Sequence, residues 1–300
     1  MRSISSVVNR RAQKRKLRVT ADDFGFVPGV TDGILEAHEK GIVTHTSLMA
    51  GGLDFERAAA LSRESPGLGV GIHLTLTWGK PLSPPASIPS LMGEGEKFAP
   101  LPLALKRYLG GRLKKGEVAR EWKNQIERVF RAGLFPTHLD SHHHLHLLPG
   151  LLAVAFQLAG EYRVPWLRRP RESFRHHFHL REALLKRIVL GMLTLRPWPL
   201  PTSDAFRGLT LQGQRDYLSR LKEILPSLPG GNTELMVHPG RADTLLEKED
   251  TYVWEREIEL QSLCDPGVKQ LLKDLEIELD RPDSVSVKCP YEAVGHRSRI

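Results

Sequence analysis

The chain predicts an α/β protein whose parallel strands form a sheet with helices packed outside it, closed as a barrel or left open. Three observations carry this reading. Short apolar, β-rich runs alternate with helical patterns over most of the 300 residues, the order expected of strands joined by helical crossovers. The groups suited to chemistry fall where strand-like runs end, and in parallel α/β folds ligands bind beyond the carboxyl ends of the strands. A composition of 40% hydrophobic and 26% charged residues suits a globular domain.

Leu17–Thr20 reads as a first short strand, followed by a Gly/Pro turn and a helix from about Val30 to Lys40. Ile42–Met49 and Val70–Thr77 are the next strands, with a helix over Phe55–Arg63 between them. Gly79–Pro102 is rich in Pro and Gly without periodicity, which predicts a long loop of the kind that often serves as a lid. Val118–Phe130 alternates apolar and charged residues at helical spacing, and Gly133 stops it. Thr137–Ser141 is a short strand, Pro149 opens a helix to about Tyr162, and Val164–Arg168 is another strand. Leu235–Val237 and Val285–Val287 complete the set.

The net charge of +8 owes much to Arg10, Arg11, Lys14, Arg15, Lys16 and Arg18. Residues 1–16 lack the apolar stretch of a signal peptide and read as a disordered basic arm, either solvated or in contact with an anionic surface. The remainder, residues 17–300, reads as a single domain. Two cysteines, Cys264 and Cys289, are too few for a disulfide framework or a Cys-rich zinc site, so a reduced cytoplasmic setting is the default. No stretch supplies the roughly 18 uninterrupted apolar residues of a spanning helix. No zinc-finger or RNA-binding motif is legible, which leaves charge alone to support a nucleic-acid or membrane-binding protein.

Between Pro136 and Pro149 stand His138, Asp140, His142, His143, His144 and His146. Imidazole titrates near neutrality and ligates divalent metals, so this density at an element boundary points to a metal-dependent enzyme. Period-2 alternation would put His138, Asp140 and His142 on one face; helical spacing would instead pair His142 with His146. Pro149 favours the strand-end reading, and which residue is the ligand stays open. Asp22 and Asp23 close the first strand, where one carboxylate can turn to a metal and the other act as a base. His73, beside Gly71, and His238, before Pro239-Gly240, each sit at the end of an apolar run. His176, His177 and His179 lie among arginines with no strand before them and read as surface residues.

Five segments together carry a family resemblance: Val19–Gly25, Gly41–Thr44, Gly71–Thr77, Thr137–His144 and His238–Gly240. They resemble the YdjC-like carbohydrate deacetylases, which include chitooligosaccharide deacetylases and a branch associated with hopanoid biosynthesis. The match is continuous from about Leu17 to Arg169 and thinner afterwards. The resemblance implies a distorted (β/α) barrel and one divalent metal, Mg²⁺ or Zn²⁺, held by Asp23, His73 and His142. It implies Asp22 as general base and His238 as general acid, with Arg168 orienting Asp22 or touching substrate. Asp140 and His144 join Arg168 as expected substrate contacts. The implied reaction is hydrolysis of the acetamide of an N-acetylglucosamine-type sugar.

The chain departs from the oligosaccharide-processing pattern at about residues 171–201, read as a helical insertion. Apolar Leu180, Ala183, Leu184, Ile188, Leu190, Met192, Leu193 and Leu195 alternate there with basic Arg175, Arg181, Lys186, Arg187 and Arg196. Such a basic amphipathic helix suits either a membrane face or ordinary docking on the barrel. The membrane reading resembles the hopanoid-associated branch and implies a lipid-linked glycoside; soluble chitooligosaccharides are the alternative.

Overall fold

A computed structural model describes residues 13–172, 191, 192 and 194–282. The sequence expectations for residues 1–12, for His176, His177 and His179, for the amphipathic run up to Leu190, and for the strand 285–287 lie outside these residues.

The strands are β1 (Arg15–Phe24), β2 (His45–Leu48), β3 (Gly69–Leu74), β4 (Leu139–Ser141), β5 (Ala205–Arg207), β6 (Gly231–Val237) and β7 (Ile277–Leu279). All pair in parallel, in the order β4-β3-β2-β1-β6-β5, with β7 against the start of β1. The α/β expectation holds: the sheet curls as an incomplete, distorted barrel. Between the outer strands β4 and β5, isolated bridges replace regular pairing: Leu139 with Leu167, and Glu172 with Phe206. The segment expected as a strand at Val164–Arg168 therefore contributes only single ladder contacts; Leu139 N–H donates to Trp166 O and Arg168 N–H to Leu139 O.

Central β1 is longer than the apolar run implied and starts inside the expected basic arm, because Arg15 and Lys16 pair with both β6 and β7. From Val19 onward every residue of β1 is buried, as befits a strand covered on both faces. Around the sheet lie α1 (Pro28–Glu39), α2 (Phe55–Arg63), α3 (Leu101–Leu109), α4 (Lys115–Arg131), α5 (Leu151–Glu161), α6 (Tyr217–Ile224), α7 (Leu246–Glu249), α8 (Trp254–Cys264) and α9 (Pro266–Asp274). In α4, Val118, Trp122, Ile126 and Val129 form the buried stripe that helical spacing foretold. Each such side chain contributes about 1.5–3 kcal/mol by leaving water.

Two polar residues share that stripe, and they fix the long loop. Glu121 accepts from the Leu82 and Ser83 amides, while Gln125 exchanges two hydrogen bonds with the Thr75 backbone. The loop is thus pinned at its start, and it ends in α3, whose Leu101 and Leu105 reach the cleft described below. Among the described residues no helix is long and apolar enough to cross a membrane.

Candidate active site

Asp22 and Asp23 are neighbours on β1, and a regular strand would aim them at opposite faces. The register with β2 shifts between Ala21 and Phe24, and Asp23 takes a left-handed conformation with φ of 69°. That irregularity lets both carboxylates line one cleft of about 800 Å³. Bulges often re-aim side chains beside sites in this way.

Three atoms able to ligate a metal meet there. Asp23 Oδ1 lies 3.3 Å from His73 Nε2 and 3.2 Å from His142 Nδ1, and all three fall within 4.8 Å of one another. His73 pairs in register with Asp140 across β3 and β4, and its Nδ1–H donates to Asp140 Oδ1 at 2.7 Å. That bond leaves the Nε2 lone pair facing Asp23, the carboxylate-backed arrangement usual for a metal-binding imidazole. Burial would lower the His73 pKa, but Asp140, together with Asp23 and Asp22, carries it up to about 10. The surroundings of Nε2 thus favour a positive charge, met by a proton or by a cation. One carboxylate and two imidazoles fit a divalent ion.

Asp22, His73 and Asp140 also lie close enough to hold an ion, but an internal cation already serves these carboxylates. Arg168, fully buried, donates to both oxygens of Asp22 at 2.6 and 2.7 Å, and its Nε reaches Glu234 at 2.8 Å. It also pairs with Asp140 Oδ2 at 2.7 Å, an oxygen that Ser47 contacts at 2.6 Å. Burial raises the Asp22 pKa above the usual carboxylate value despite Arg168; Asp140 is also buried, yet Arg168 and His73 hold it far below. The sequence offered Arg168 as either a partner of Asp22 or a substrate contact, and Asp140 as a substrate contact. Neither lines the cleft; one orients Asp22 and the other His73.

His238 follows β6 and faces the same cleft. Its backbone N–H donates to Glu259 on α8 at 2.6 Å, and its Nδ1 stands 3.9 Å from that carboxylate. Tyr252 also donates to Glu259, at 2.6 Å. Burial pushes Glu259 up to about 7 and His238 down to about 4. One turn earlier on α8, Arg256 pairs with Asp23 Oδ2 at 2.8 Å. Burial raises Asp23, but Arg256 with His142 and His73 holds it well below its ordinary value. Glu234, Arg256 and Glu259 were missed in the sequence, where each is an ordinary charged residue.

The other histidines of the cluster divide by role. His144 lines the cleft, with φ of 54° and a buried Nδ1 lacking a hydrogen-bond partner among the described residues. His146 is fully buried, taking a bond from Ser141 Oγ and donating to Arg168 O at 3.0 Å. It braces the backbone of Arg168, so the helical pairing of His142 with His146 does not occur. His138 lies on Gly71, where a Cβ would come within 2.3 Å of its ring, and bonds Ser47 at 3.0 Å. Phe26, Trp78, Leu101, Leu105, Leu145 and Leu148 give the cleft a broad apolar wall.

A model of the family described as YdjC-like protein matches residues 16–274. The carbohydrate deacetylase of Geobacillus stearothermophilus is 36% identical, over 87% of this chain and 94% of its own length. That of Brevibacillus brevis is 37% identical, over 88% and 97%. The chitooligosaccharide deacetylase of an Enterobacter species is 33% identical, over 86% and 94%. A crystal structure from Enterococcus faecalis V583, of a protein provisionally named for cellobiose-phosphate cleavage, superposes with a TM-score of 0.73 at 30% identity, covering 89% of this chain and 97% of that one.

Proposed function

The chain belongs to the YdjC-like family, and we propose that it is a metal-dependent hydrolase that removes the acetyl group from an N-acetylated amino sugar, releasing acetate and a free amine. The observation that carries this reading is the meeting of Asp23, His73 and His142 at the cleft, with Asp22 beside them and His238 on the same surface. The relatives' shared designation as carbohydrate deacetylases supports the substrate class.

Asp23, His73 and His142 would hold the ion. When bound, a divalent cation supplies Lewis-acid polarisation of the amide and lowers the pKa of water. Asp22 is the general base: its raised pKa makes it a better proton acceptor, while the two-pronged contact with Arg168 fixes its direction. Asp140 sets the His73 tautomer and so the atom offered to the ion. His238, held by Glu259, protonates the leaving nitrogen. With its pKa near 4 the resting imidazole is neutral, so the proton that it passes to nitrogen is the one released by the attacking water and first taken up by Asp22. His144 contacts substrate from the cleft wall.

The apolar wall favours a glycoside with an apolar, lipid-like aglycone, and with it a cytoplasmic enzyme working at the inner membrane face. The Enterobacter relative, named for chitooligosaccharides, supports a second reading with soluble substrates. The elements from β1 to β7 act as one catalytic domain. Purified protein supplied with Zn²⁺ or Mg²⁺ should release acetate from an N-acetylglucosaminyl lipid faster than from N,N′-diacetylchitobiose. The reverse preference would select the soluble reading, and no acetate from either would dismiss the deacetylase.

A further inference from the structure

We infer that Arg256 is a positioning residue for the ion-binding group: it occupies one oxygen of Asp23, leaves the other as a single donor, and ties that ligand to the cleft wall through Asp250. The inference rests on the ligand assignment proposed above. Helix α8 carried no chemical role in the sequence, yet two of its residues, three apart and so on one face, reach opposite parts of the site. Glu259 holds the backbone of His238 and Arg256 holds Asp23.

The geometry is selective. Arg256 Nη2 donates to Asp23 Oδ2 at 2.8 Å and to Asp250 Oδ2 at 2.9 Å. Asp23 Oδ1, the oxygen facing His73 and His142, is left free of it. The stem of Arg256 is fixed as well: Nε donates to Tyr252 O at 3.0 Å, and a side chain on Gly240 would come within 3.1 Å of Cδ. A side chain at Gly240 would therefore press Arg256 out of place by a few tenths of an ångström. Arg256 is 2% exposed and belongs to the cleft wall, and its Nη1 has no partner among the described residues. Asp250 and Tyr252 line the cleft beside it, so whatever engages that wall is linked through one guanidinium to Asp23.

A guanidinium sharing a carboxylate weakens the charge donated through the other oxygen and repels a neighbouring dication. An ion bound there would be held less tightly than the donor set alone would give, and would stay a stronger electrophile. Arg256→Gln should therefore bind Zn²⁺ at least tenfold more tightly in chelator competition while kcat falls at least tenfold. Asp250→Asn, at a partly exposed position, should do the opposite to affinity: a neutral amide oxygen competes less for Nη2 than a carboxylate does, Nη2 bonds Asp23 more strongly, and Zn²⁺ binding weakens several-fold. Glu249→Gln, on the same wall but without a described contact to Arg256, should change affinity less than Asp250→Asn. Zn²⁺ affinity that is unchanged or lower in Arg256→Gln overturns the inference. Should that variant fail to fold, equal effects of Asp250→Asn and Glu249→Gln overturn it instead. Wild-type protein that takes up no Zn²⁺ would instead remove the ligand assignment itself.

Discussion

Arg168 is the cation on which the interior of the site depends, and replacing it with methionine tests that dependence. The side chain is fully buried and makes charge-assisted contacts of 2.6–2.8 Å with Asp22, Asp140 and Glu234. Methionine fills similar space but leaves three buried carboxylates without their shared partner. Removing one member of a buried ion pair costs about 3–5 kcal/mol, and unfolding in urea at pH 7 should show a loss of that order. The pH dependence gives the sharper check. Asp140 is held far below its ordinary pKa, so it stabilises the fold above the unfolded value and loses that effect as pH falls. Without Arg168, burial dominates and the carboxylates bind protons more readily in the folded state than in the unfolded. The deficit of the variant should be greatest near pH 7 and should narrow towards pH 4. Arg168→Lys should recover only part of it, because an ammonium lacks the planar fork that meets both oxygens of Asp22. A loss below about 1 kcal/mol, or one that does not vary with pH, would contradict the reasoning.

Asp22→Asn should lower kcat roughly 10²–10⁴-fold, the span usual for a general base, while Zn²⁺ affinity stays close to wild type; full activity would remove Asp22 from the proposed chemistry. Glu259→Gln should alter stability as a function of pH. A carboxyl raised from 4.5 to about 7 costs the folded state stability as pH climbs through that window, on the order of 3 kcal/mol in full. His238, lowered from 6.5 to about 4, works in the opposite sense, giving stability that is lost as pH falls between those values. The Gln variant should therefore gain stability relative to wild type between pH 5 and 7, measured by thermal unfolding, and an equal difference at both ends of that range would rule out the buried carboxyl. Leu105→Asp, in the apolar wall, should raise KM for a lipid glycoside more than for N,N′-diacetylchitobiose; equal changes would leave the wall without a part in selectivity.

The sheet and the cluster of Asp23, His73 and His142 were legible for the same reason. Parallel strands buried on both faces write continuous apolar runs, and a histidine or paired aspartates at the end of such a run stand out. What the sequence hid was the irregular and the remote. Strands β5 and β7 have three residues each, as β4 does, but no cluster of histidines marks their ends. Val164–Arg168 has a strand's composition but spans the gap between β4 and β5, where only isolated bridges form. Arg168 and Asp140 were visible as charged residues near strand ends, but nothing in their spacing says that they face each other rather than the cleft. Arg256 and Glu259 sit three apart on a helix rich in charge, where most such residues are solvated. Their burial follows from α8 packing against the end of β6, a contact between distant segments. One sequence signal did point there: Gly240, where a side chain would press on Arg256.

The most direct measurement is the metal stoichiometry of purified protein after Zn²⁺ loading and desalting, for wild type and for Asp23→Ala, His73→Ala and His142→Ala. Convergence of these three side chains on one ion calls for one tightly held Zn²⁺ per chain in the wild type, sharply weaker retention in each variant, and a parallel loss of acetate release. Equal retention by all four proteins, or none by the wild type, would show that the three side chains do not form the site.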